Sequence, residues 1–109
     1  MTQIELYQSL KGIGFPVAYH HFEGTEKNPV PTPPYIVYLF SNSGDLMADD
    51  RNYVEISDFQ VELYTTKKDL QSEVLVQNKL KALELPYSKS ETWIESEKMY
   101  QVIYQIRLI

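Results

Sequence analysis

The sequence predicts an α+β domain: a mixed or mostly antiparallel sheet of about five strands with two helices packed on one face, in the order α-β-β-β-α-β-β. Three observations predict it. Apolar residues alternate at Phe59, Val61 and Leu63 and again at Tyr100, Val102, Tyr104, Ile106 and Leu108, which is the period of a half-buried strand. Ile4, Tyr7 and Leu10, and later Val76, Leu80 and Leu83, recur at helical spacing. The 109 residues are 43% apolar and 23% charged, the make-up of an ordinary globular chain with one core in a single domain, 1–109.

The elements follow in order. Thr2-Gln3-Ile4-Glu5 reads as a capping box that opens a helix over residues 3–11, and Gly12 suits a left-handed helix end. Val17 to Phe22 read as a strand. Residues 23–34 hold Gly24, Asn28 and four prolines, which remove backbone donors and make a loop. Tyr35 to Phe40 is continuously apolar and aromatic, as in a central strand covered on both faces.

Residues 41–52 are expected to be an exposed loop, with Leu46 and Met47 out of place among polar neighbours. Val54 and Ile56 then alternate on the opposite parity to Phe59, Val61 and Leu63, and a bulge near Ser57-Asp58 accounts for the switch. Asp69 is a fitting N-cap for a helix over residues 70–83, with Leu70 and Val74 flanking its buried stripe and Pro86 at its exit. Strands at 87–94 and 99–109 complete the chain. The face opposite the helices should carry Gln60, Glu62, Tyr64, Gln101, Gln105 and Arg107, a wet or partner-facing side.

Composition removes several functions. Cysteine is absent, so no disulfide, thiolate nucleophile or cysteine zinc site is available. Fifteen acidic against ten basic residues leave a net charge of -5, and only Lys67 and Lys68 are adjacent, which disfavours sequence-specific nucleic-acid binding. The beginning of the chain lacks the pattern of a secretory signal, and no run approaches the ~20 apolar residues of a membrane span. A soluble intracellular protein without membrane contact is expected.

No catalytic or cofactor motif emerges. His20 and His21 are strand neighbours and should point to opposite faces, so a shared metal is disfavoured against ordinary structural or surface roles. Asp45, Asp49 and Asp50 lack calcium-loop spacing and read as a solvated acidic turn. Gly12-Ile13-Gly14 lacks the third glycine of a dinucleotide loop and follows a helix instead of opening one. No serine sits in a nucleophile elbow. Glu91, Glu95 and Glu97 show no acid–base spacing. Nine tyrosines are the unusual feature, and Tyr suits both half-buried strands and protein interfaces.

The stretches GFPVAYHHF, PPYIVYL, ADDRNY, FQVELYTTKKD and IESEKMYQVIYQIRLI, in this order of elements, resemble the small tail proteins of long-tailed phages and prophages of Gram-positive bacteria. That family comprises tail terminator, tail-completion and head–tail joining proteins. The resemblance covers nearly the whole chain and implies a structural protein, not an enzyme, with no catalytic residue, metal or cofactor. It implies a hexameric ring at the head-proximal end of the tail tube, made in the host cytoplasm and carried in the virion. Its partners would be itself, the tail-tube protein and the head–tail connector. The sheet edge and the polar face at Gln60, Glu62 and Tyr64 are the expected ring interface. Leu46, Met47, Asp49, Asp50 and Arg51 are the expected partner contact. A head-completion or other neck protein, a non-viral adaptor, and an enzyme using His20 or His21 at an oligomer interface stand as alternatives.

Overall fold

The centre of the structure, a computed structural model describing residues 1–109 apart from the side chain of Tyr53, is a five-stranded sheet. Its strands are β1 (Val17–Tyr19), β2 (Tyr35–Ser43), β5 (Ser57–Thr65), β6 (Ser88–Ile94) and β7 (Met99–Leu108), in the order β1-β2-β5-β7-β6. β1 runs parallel to β2 and every other pair is antiparallel, so the fold is α+β with a mixed sheet. A separate hairpin, β3 (Leu46–Ala48) and β4 (Arg51–Val54), interrupts the sequence between β2 and β5.

Helix α1 (Gln3–Lys11) starts with the expected capping box: Glu5 N–H donates to Thr2 Oγ1 at 3.1 Å and Thr2 N–H to Glu5 Oε1 at 3.0 Å. Gly12 is right-handed at the helix end, and the left-handed glycine is Gly14 (φ 109°), two residues later. Helix α2 (Leu70–Ala82) is capped by Asp69, whose carboxylate accepts from Ser72 N–H at 3.1 Å. Both helices bury apolar stripes on one sheet face: Leu6, Leu10, Val76 and Leu80 are fully buried against Ile36, Val61, Leu63, Val102 and Tyr104. Each such side chain contributes roughly 1.5–3 kcal/mol by leaving water.

Register explains that face. Ile36, Leu63 and Val102 lie in one cross-strand row, and Tyr38, Val61 and Tyr104 in the next. Within this core the fully buried Tyr104 hydroxyl donates to Gln77 Oε1 at 3.2 Å, and burial raises its pKa. The helical stripe on α2 is rotated from the expected one. Leu70 and Val74 are exposed, and Ser72 and Glu73 are buried in their place. Glu73 tolerates this because Lys68 and Lys89 reach its two oxygens at 2.8 and 2.7 Å. Burial pushes its carboxyl up, and the two ammonium groups outweigh that and hold it below the ordinary range.

Three further expectations are corrected, and one holds in part. The first strand stops at Tyr19, because His20 adopts a left-handed backbone (φ 68°). β2 is the interior strand expected, covered on both faces at Ile36, Val37 and Tyr38, although its end at Phe40 is 45% exposed. The 41–52 segment is not a loop, since β2 continues to Ser43 and the hairpin fills most of the remainder. The parity switch before Phe59 is a change of sheet: Val54 ends β4, and β5 starts afresh at Ser57. The bulge is on the partner strand, where the register with β5 shifts between Phe40 and Asn42.

Candidate interaction surface

No helix covers the second face of the sheet. Its side chains come from the alternate positions of the same strands, in rows Tyr35–Tyr64–Gln101, Val37–Glu62–Ile103 and Leu39–Gln60–Gln105, ending at Asp58–Arg107. This is the polar face expected from the sequence, and Gln60, Glu62 and Tyr64 lie together on the central strand. Segment 20–34 folds back over one end of it. There Phe22 packs edge-on against Tyr35 at 5.1 Å, and His20, His21, Val30, Glu97 and Met99 help line an open cleft of about 320 Å³.

A short polar chain runs through the middle of the face. Gln101 Nε2 donates to Tyr64 Oη at 2.9 Å, and Tyr64 Oη donates to Glu62 Oε1 at 2.8 Å. Burial first, then the Glu62 carboxylate, raises the Tyr64 pKa, so the phenol stays a donor. Tyr64 also stacks on Tyr35 with ring centroids 5.1 Å apart. Glu62 is 7% exposed, and no cation lies within ion-pair distance of it among the described residues. By contrast Asp58, at the far end of the face, holds Arg107 through two hydrogen bonds of 2.8 and 3.1 Å.

The hairpin leaves the sheet at that far end. Asp49 and Asp50 form its two-residue turn with φ of 50° and 58°, the left-handed pair of a type I′ turn. Aspartate tolerates this conformation because its short polar side chain bonds locally, which is why two acidic residues stand at the tip. At the base Asp45 accepts from Ile56 N–H at 2.7 Å and from the Asn52 amide, and Gly44 N–H donates to Ile56 O at 2.9 Å. Hydrogen bonds from Ser43 and from the Ile56 N–H hold the Asp45 carboxyl below its usual range.

Leu46 and Met47 are 54% and 65% exposed, and Asp49, Asp50 and Arg51 are exposed as well. The structure therefore brings the five expected contact residues together on one projecting ribbon. The sequence did not foretell that they form a ribbon, because Asp49-Asp50 lacks the glycine that usually marks such a turn.

Two other features were open to question. The outer edge of the sheet at β6 is exposed along nearly its whole length, from Ser88 to Trp93. Trp93 packs on Tyr100 at 4.7 Å while its indole N–H donates to Glu95 at 2.6 Å. The two histidines, expected on opposite faces, are instead neighbours: their Nδ1 atoms lie 2.9 Å apart, and His21 Nε2 is 3.4 Å from Glu23. The left-handed turn at His20 cancels the strand alternation on which the expectation rested. No third ligand joins the pair, because among the described residues no group of three or more His, Asp or Glu side chains is placed to hold a metal. Likewise, among the described residues no helix is long and apolar enough to cross a membrane.

No protein-family model matches the chain, and no curated protein matches it either.

Proposed function

We propose that the chain is a virion structural protein, a tail terminator subunit that forms a ring on the head-proximal end of a phage tail tube. In this reading the ring stops tube polymerisation and offers a surface to the head–tail connector. One observation carries it beyond the resemblance of its sequence stretches: the fold leaves a polar sheet face, a free sheet edge and a projecting hairpin with exposed Leu46 and Met47, all unused by the chain's own core. A ring subunit needs two different complementary surfaces, and this distribution supplies them. The acidic balance also suits a ring through which DNA passes without being gripped.

The test is electron microscopy of particles from the parent prophage with this reading frame deleted. Overlong tails without heads are the expected result. Tails of normal length beside separate filled heads would move the protein to the joining step, and ordinary infectious particles would overturn the reading.

A further inference from the structure

We infer that the β3–β4 hairpin of one copy docks on the helix-free sheet face of a second copy, with Arg51 reaching the buried carboxylate of Glu62. This deepens the ring reading above by assigning the two surfaces that meet, and it rests on that reading only for the expectation of self-assembly.

The sheet face supplies the first half of the argument. Glu62 is more than nine-tenths buried, lies in a row between Val37 and Ile103, and takes a hydrogen bond from the Tyr64 hydroxyl. Its other oxygen is not sealed off, since it is not among the buried atoms left without a partner. Among the described residues the one such atom belongs to Glu73, whose charge two lysines answer. Glu62 is thus a mostly buried side chain, flanked by the half-buried Leu39, Gln60 and Ile103, that turns one open carboxylate oxygen outward with no cation beside it among the described residues.

The hairpin supplies the second half. Residues paired across an antiparallel ribbon share a face, so Leu46 (opposite Val54) and Ala48 (opposite Arg51) place Leu46, Ala48 and Arg51 on one side. Leu46, Ala48 and Arg51 are exposed, and no ion pair engages Arg51 among the described residues. An isolated two-stranded ribbon is marginal in water, and among the described residues this one has no substantial packing partner in the other helices and strands. Its apolar-and-cationic side therefore complements a face that is apolar around a lone anion. A guanidinium suits the task because it is weakly hydrated and can bridge a carboxylate with two donors. The contact joins different patches on the two copies, so it propagates head to tail and closes into a ring or runs as a filament.

Sedimentation velocity over a concentration series tests this with the full chain. The wild type should self-associate, and Arg51→Glu, an exposed substitution at the ribbon turn, should weaken association by about tenfold or more. The chain has no cysteine, so trapping is clean. Arg51→Cys mixed with Gln60→Cys should give a disulfide-linked dimer on oxidation, whereas Lys11→Cys mixed with Gln60→Cys should not.

A wild type that stays monomeric at every concentration overturns the docking, as does association indifferent to Arg51→Glu, or equal trapping by the Lys11 control. The deletion phenotype described above is independent of these readings. Overlong tails with a failed trapping result would discard the interface and keep the ring.

Discussion

The two faces of one sheet are built from adjacent residues and have opposite characters. On the helix side the row Ile36–Leu63–Val102 is completely dry, and the next row, Tyr38–Val61–Tyr104, adds two phenols, of which the fully buried Tyr104 hydroxyl is answered by Gln77. One residue further along each strand, the row Val37–Glu62–Ile103 mixes two apolar side chains with a carboxylate, and Leu39–Gln60–Gln105 follows it. The first face is finished within the chain. The second is part-buried and chemically unresolved, as a surface reserved for another molecule would be. Strand alternation makes the division possible, because a single register fixes both faces at once.

The comparison breaks most visibly at the dry face. Leu63→Ala removes a fully buried side chain from the central strand and should cost about 2–5 kcal/mol, read as a lowered midpoint in chemical denaturation. The neighbouring Gln60→Ala, half-buried on the other face, should stay within about 0.5 kcal/mol of wild type. Equal losses at the two positions would mean that the second face is core as well.

The next effect in size concerns the one charge admitted to the helix side. Glu73→Ala strands Lys68 and Lys89, but both ammonium groups are exposed enough to return to water. We expect about 2–3 kcal/mol, less than the loss for a fully enclosed pair. The pH dependence has a definite sign. The folded carboxyl lies below the ordinary glutamate value of 4.5, so its stabilisation is fully present above pH 4.5 and is lost as pH falls through the folded value. Glu73→Gln should flatten part of that acid slope, and a thermal melt series between neutral and strongly acid pH reads it. An unchanged slope would assign acid sensitivity to Asp45, Asp58 and the other carboxylates held low.

Much of this architecture was legible in the chain because strands and helices here obey their own periods. The capping box at Thr2–Glu5, the N-cap at Asp69 and both faces of β5 and β7 stand where the alternation puts them. What escaped was set by contacts between distant segments or by single backbone angles. Glu73 looks like a solvent residue until Lys68 and Lys89, sixteen residues beyond it, converge on it. The histidine pair depends on one left-handed residue, which no side-chain pattern announces. The hairpin was hidden because strands of three and four residues are too short for a period to declare itself, and its Asp-Asp turn lacks the glycine that usually marks one. For the interaction surface, the residues of both patches were visible as exposed or polar positions, but the isolation of Glu62 required knowing where every cation lies.

The smallest expected effect on stability sharpens the comparison furthest. Leu46→Ser with Met47→Ser replaces two exposed apolar side chains on a ribbon held at its base by Asp45, Gly44 and Ile56 rather than by packing. A change there should move the unfolding midpoint by no more than about 0.5 kcal/mol per site. Transfer of a half-exposed leucine into an interface is worth on the order of 1 kcal/mol, so the same change should weaken assembly several-fold. Denaturation and sedimentation of the double variant therefore give opposite answers if the hairpin serves a partner and the same answer if it serves the fold. Loss of the folded state would place Leu46 and Met47 with Leu63, on the finished side of the molecule. Intact folding with intact assembly would leave the free edge at β6, where Trp93 stands exposed beside Glu91 and Lys89, as the surface that brings copies together.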